Sequence, residues 1–192
     1  MLRASSMILA IAVALWLVLA AVGGVAAMAV FPAARELPLS MEGYEGFGAA
    51  EPALGRQLIA GHMVERVFIV SETPRLVCAA VAVVALALQL RVGRVASLRR
   101  LRVAALAVAT CAMLVSVFYA RPAFTAVDHK YRATARETET KPDWVELAVR
   151  TKAEAVDPAH EFASRVATTE ILALLAFIAL SAAATAGPPR RG

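Results

Sequence analysis

Residues 62–78 read HMVERVFIVSETPRLVC and pass without a break into the apolar tract 76–90, so that Glu65, Arg66, Glu72, Pro74 and Arg75 stand at its approach. A helix that meets lipid at this point must carry its last charges at the bilayer surface or pair them within the protein. The rest of the chain favours lipid. Its 192 residues are 60% hydrophobic with a mean hydropathy of +0.66 and only 18% charge, beyond the range of an ordinary soluble domain.

Four tracts approach spanning length, at 7–31, 67–90, 101–120 and 166–187. A bilayer core about 30 Å thick needs roughly 20 helical residues. The first tract, preceded by Arg3, is longer than the about 7–15 apolar residues of a secretory leader. It is expected to stay as the first span. The sequence thus predicts an all-α fold, a polytopic four-helix membrane bundle in a single domain, 1–192. Its outer connections, 32–66 and 121–165, carry helical extensions.

Arginine placement sets the expected orientation. Arg91, Arg94, Arg99, Arg100 and Arg102 fall between the second and third tracts without one acid, and the chain ends add Arg3, Arg190 and Arg191. The connections at 32–66 and 121–165 instead mix three basic with five acidic residues and eight with eight. By the bias of basic loops toward the cytoplasm, both termini lie inside. The net charge of +5 is explained by topology and implies no nucleic-acid partner. The alanine-rich, arginine-over-lysine composition matches a high-GC bacterial genome, which places the expected location in a bacterial inner membrane.

Local signals subdivide the connections. Glu51-Pro52 marks a helix start with proline in the first turn, running toward the second span. Lys141-Pro142-Asp143-Trp144 introduces a short surface helix over 145–156, with Trp144 and Leu147 at headgroup level. Asp157-Pro158 reads as N-cap and first residue of the last helix, with Glu161 and Arg165 forming an i, i+4 pair. Gly187-Pro188-Pro189 stops that helix. In the first span, the small pairs Ala20-xxx-Gly24 and Gly23-xxx-Ala27 suit a close helix crossing.

Candidate chemistry is sparse. At about 1.5 Å rise per residue, counted from Leu90 and Gly187, Glu72, Arg75 and Glu170 lie about 27, 22 and 25 Å from the inner edge. Charges at one depth in a bilayer pair with one another, so Arg75 is predicted to bind Glu72 one turn away and Glu170 on the fourth helix. Pro74 either kinks this helix or opens it. The histidines fall in the outer connections, where His62 with Glu65, Asp128 with His129, and Asp157 with His160 and Glu161 offer couplets for zinc or copper. No Cys or His is doubled at short spacing, and a haem lacks facing histidines within the spans. Cys78 and Cys111 read as small core residues. Ser5, Ser6 and Ser164 lack a nucleophile frame, and no phosphate-binding glycine pattern occurs, so neither an enzyme nor a cofactor is expected. The functional reading is a structural or interaction role in the membrane, in a homo-oligomer or with another membrane protein. Ion or solute transport through Glu72, Arg75 and Glu170 is the first alternative. Metal handling through His62, His129 and His160 is the second.

The segments ALWLVLAAVGGVAAMAVFPAARELP (14–38), AGHMVERVFIV (60–70), FYARPAFTAV (118–127) and HEFASRVATTEILALL (160–175) resemble, in order and spacing, the transmembrane protein 205-like family of small four-span proteins. The chain departs from that pattern at Trp16-Leu17, where a tryptophan-glycine pair is expected, and in the placement of the histidine before the last span. The resemblance implies a four-span fold and no reaction, substrate or cofactor.

Overall fold

In the computed structural model, which describes residues 2–92, 98–141 and 143–185, helix is the only regular secondary structure among the described residues. The opening apolar tract lies within α1, Leu2–Glu36. There follow α2, Glu45–Ala50, α3, Pro52–Val92, and α4, Arg99–Val115. α5 is Arg121–Glu137, α6 Trp144–Thr151 and α7 Asp157–Thr185. A π turn over Ser116–Ala120 joins α4 to α5, and another over Lys152–Val156 joins α6 to α7. Four helices are therefore long and apolar enough to cross a membrane: Ala4–Glu36, Pro52–Arg91, Arg99–Glu137 and Trp144–Ala184. The last three hold 39 to 41 residues, about twice the ~20 that a bilayer core requires.

That surplus revises the connections. α3 starts at Pro52, as Glu51-Pro52 indicates, and encloses Pro74. The separate helix over 145–156 and the fresh start at Asp157-Pro158 are corrected: one helix runs across Trp144–Ala184, and Asp157 has helical angles, φ −63 and ψ −44. Proline supplies the reason. It offers no N–H to the carbonyl four residues back, and its ring crowds that carbonyl. A π turn, closed by bonds to the fifth residue, shifts the register and relieves the crowding. Both π turns end two residues before a proline, Pro122 and Pro158. A pattern that reads locally as a helix start is thus carried through as a bulge. The stop at Gly187-Pro188-Pro189 lies outside the described residues, as do Arg94, Arg190 and Arg191.

The chain divides into two compact units. The first comprises the described residues of Met1–Ala21, Ser71–Val115 and Val166–Gly192. Each of its helices buries one stripe at three-and-four spacing: Leu9, Ala12, Val13 and Trp16; Ala79, Ala82, Ala85 and Leu86; Leu106, Ala109, Ala112 and Met113; Ala173, Leu174 and Phe177. Alanine dominates, and its small side chains let the helix backbones approach closely. The remaining faces stay apolar and exposed, as at Ile11, Leu15, Val18, Val77, Val84 and Leu88. Helices apolar all round belong in a membrane or a large core.

The second unit comprises Val22–Val70 and Ser116–Arg165. Its core gathers Tyr44, Phe47, Leu58, Tyr131, Ala135, Ala148 and Val156, with Phe47 edge-on to Tyr131 at 6.0 Å. Glycine seats its short helix. Gly43, at φ +78, turns the chain into α2, and a Cβ on Gly55 would come within 2.8 Å of Gly48 Cα, so α2 and α3 meet backbone to backbone. In α1, Gly23 is buried against the Phe68 ring of α3, whereas Gly24 is exposed with nothing within 4 Å of its Cβ position. The small-residue crossing lies on the Gly23 face.

Candidate functional site

The stripe that buries Leu174 and Phe177 on α7 reaches Glu170 one turn earlier, so the periodicity that builds the apolar core also buries a carboxylate. Glu170 is 0% exposed, and so is Trp16 on α1. Trp16 Nε1 donates to Glu170 Oε1 across 2.7 Å, and Arg75 Nε of α3 stands 3.6 Å from the same oxygen. Three helices of the first unit therefore converge on one carboxylate, Trp16 by a hydrogen bond and Arg75 as an ion pair. Glu170 Oε2 is buried and accepts no hydrogen bond among the described residues. Arg75 is nearly buried, with 11% of its side chain exposed. Glu72 is half-buried, one turn before Arg75.

Of the three charges that the sequence places at one depth, Arg75 and Glu170 are thus brought together across α3 and α7. Trp16 is the partner that the sequence reading missed. A buried indole N–H almost always has an acceptor, and a count from the start of α1 at Leu2 rather than from residue 7 puts Trp16 about 21 Å along the helix. That is the level of Arg75.

Two further polar contacts tie the same unit nearer the other end of its helices. Gln89 Nε2 donates to Ser6 Oγ at 3.3 Å. Arg102 Nε donates to Ser181 Oγ at 3.0 Å, with its guanidinium over the Phe177 ring at 5.4 Å, and Ser181 Oγ donates to the Phe177 carbonyl at 2.7 Å. Gln89 and Arg102 are therefore each held by a serine of a neighbouring helix. Cys78 is half-buried and Cys111 exposed, and neither forms a disulfide.

The histidine couplets belong to the second unit. Arg132 Nη1 bonds Glu65 Oε2 at 2.8 Å and contacts His62 Nδ1, while its Nε binds Asp128 Oδ2 at 2.7 Å. A guanidinium thus occupies the position among His62, Glu65 and Asp128 that a divalent cation would need. His129 is exposed, and the His160 ring lies 5.8 Å from that of Phe124. Asp157 binds Lys152 Nζ at 2.7 Å, and Glu161 binds Arg165 Nη2 at 2.5 Å, the i, i+4 pair that the sequence indicates. Among the described residues, no three of His, Cys, Asp and Glu gather as metal ligands. At the start of α6, Lys141 Nζ lies 4.4 Å over the Trp144 ring, and Leu147 is exposed.

Chemically, the Glu170 centre is suited to holding helices together. Its carboxylate faces Arg75 as an ion pair, its Oε1 accepts the Trp16 indole N–H, and no hydroxyl or thiol nucleophile is bonded to it among the contacts described. No family model matches this chain, and no curated protein and no solved structure matches it. The resemblance to the transmembrane protein 205-like family rests on the four quoted segments alone.

Proposed function

We propose that this chain is a four-span integral membrane protein of a bacterial cell membrane, with both termini cytoplasmic, and that its role is structural or interactive rather than catalytic. One observation carries the reading: Trp16 Nε1 and Arg75 Nε, from two helices, meet on one oxygen of a fully buried Glu170 on a third. A buried ion pair gains little net stability, because desolvation offsets the attraction, but it can fix which helix faces which and at what register. A transport path asks for ionisable groups that continue toward both faces. On the inner side, Gln89 and Arg102 are committed to serines of neighbouring helices. The partners proposed are the bilayer and another membrane protein or a second copy of the chain. The family resemblance supports the four-span layout.

A second reading, ion or solute transport through Glu72, Arg75 and Glu170, draws on Glu170 Oε2, which has no hydrogen-bond partner among the described residues. One experiment separates the two. With Glu170→Gln in proteoliposomes, the structural reading expects ion and proton flux at the level of empty vesicles for both proteins, together with a lowered melting temperature in detergent. Wild-type flux abolished by the substitution, with unchanged melting, would establish transport instead. A reporter fused after Gly192 that is active only outside the membrane would overturn the orientation.

A further inference from the structure

The first unit carries its charge unevenly. Its segments 1–21, 71–115 and 166–192 hold nine arginines, no lysine and two acids. Both acids, Glu72 and Glu170, stand near the level of Arg75, so no carboxylate of this unit lies at the inner end of its helices. The arginines described at that end are Arg91 in the last turn of α3 and Arg99, Arg100 and Arg102 in the first turn of α4, a turn without an acid. The macrodipole opposes cations at a helix N-terminus, and three in one turn also repel one another. The second unit is different. It sets thirteen acids against eleven basic residues, so exposed arginines such as Arg35 and Arg66 belong to a balanced surface.

One arginine of the inner group is already oriented. Arg102 Nε is held by Ser181 Oγ of α7 at 3.0 Å, with the guanidinium over the Phe177 ring at 5.4 Å. Its two Nη groups, and the side chains of Arg91, Arg99 and Arg100, make no hydrogen bond or ion pair among the described residues. Arg99 stands one turn from Arg102 on the same face of α4, and both are half-buried. The depth agrees with a headgroup. From the start of the second apolar tract at 67, Arg75 lies about 12 Å in, and Ser181 lies about 16 Å beyond Arg75's partner Glu170. The Arg102–Ser181 contact therefore falls about 28 Å from the outer edge of a core about 30 Å thick. On the midplane side, Val103 follows Arg102 and Ile178 precedes Ser181 by one turn, both apolar and exposed.

We propose that Arg99 and Arg102, with Arg100 at the rim, bind the phosphate of an anionic phospholipid at the inner boundary of the bilayer. The guanidinium fork matches phosphate oxygens, and the uncompensated arginines repel the ammonium of a zwitterionic headgroup. Val103 and Ile178 offer apolar surface to the acyl chains. This inference rests on the membrane placement proposed above.

The test is native mass spectrometry of the full chain in detergent, titrated separately with phosphatidylglycerol, phosphatidylcholine and inorganic phosphate. Wild-type protein is expected to retain phosphatidylglycerol about twentyfold better than phosphatidylcholine. Arg99→Gln and Arg102→Gln are each expected to lower that ratio about fivefold, and the double variant to abolish it. The double variant Arg35→Gln with Arg66→Gln removes the same charge from the second unit and is expected to keep the ratio. Because the Arg99 side chain holds no neighbour among the described residues, Arg99→Gln remains a fair test should loss of the Arg102 anchor disturb α4. An unchanged ratio in Arg99→Gln, an equal loss in the Arg35 and Arg66 variant, or occupancy by inorganic phosphate with no lipid bound would each overturn the assignment. Alkaline carbonate washing of the source membranes distinguishes the underlying failure: a chain released by carbonate contradicts the membrane placement, whereas one retained without lipid preference contradicts only the lipid site.

Discussion

Replacing Glu170 by leucine removes the acceptor of Trp16 Nε1 and the carboxylate that Arg75 faces as an ion pair, at a level where Glu170 and Trp16 are both fully buried. At 3.6 Å and an effective dielectric of about 20, the Arg75–Glu170 attraction is about 5 kcal/mol before desolvation of either group is counted. Breaking such a pair from one side costs about 3–5 kcal/mol, while replacing both members by apolar groups is often close to neutral. Hydrogen bonds between membrane helices average only about 0.6 kcal/mol, which sets the floor. Glu170→Leu and Arg75→Met are each expected to destabilise strongly, and the double variant to cost about 1–3 kcal/mol less than the sum of the two. The assay is reversible unfolding in mixed micelles against the mole fraction of sodium dodecyl sulfate, followed by far-ultraviolet circular dichroism. Additivity within about 0.5 kcal/mol would refute the joint, since residues that do not interact add.

Further outcomes concern the second unit. Gly23→Leu drives a side chain into the Phe68 ring and is expected to destabilise by about 1–3 kcal/mol, whereas Gly24→Leu stays within about 0.5 kcal/mol; detergent melting curves showing the reverse order would place the crossing on the other face. Zinc added to the purified protein is expected to leave its melting temperature unchanged, because Arg132 occupies the place among His62, Glu65 and Asp128; stabilisation that saturates at one zinc per chain would restore the metal reading. Arg132→Gln releases partly exposed carboxylates and is expected to lower stability by about 1 kcal/mol, read in the same unfolding assay.

The all-helical build and four helices of spanning length were legible because apolar runs report on bilayer thickness alone, with no need for tertiary knowledge. The Arg75–Glu170 contact was legible for a related reason: in helices of fixed rise, charges at equal depth have few other partners. Trp16 escaped notice because its tract looked uniformly apolar, and its N–H acquires meaning only when the helix is counted from Leu2. Asp157-Pro158 misled in the opposite sense. Its residues fit a cap, yet whether a proline starts a helix or follows a π turn depends on packing upstream, where Val156 and Ala148 are buried in the same core. The engagement of His62 and Glu65 by Arg132 was equally invisible, since 67 residues separate Glu65 from Arg132 and no local pattern sets that distance.

The indole resonance of Trp16 tests the joint most directly. The chain has two tryptophans, so Trp144→Phe assigns the spectrum of the nitrogen-15-labelled protein in detergent or nanodiscs. An Nε1–H bound to a buried carboxylate is expected downfield of its Trp144 counterpart, slow to exchange with deuterium, and shifted upfield by Glu170→Gln. A Trp16 signal that exchanges as fast as that of Trp144 and is indifferent to Glu170→Gln would contradict a structure in which Glu170 joins α1, α3 and α7.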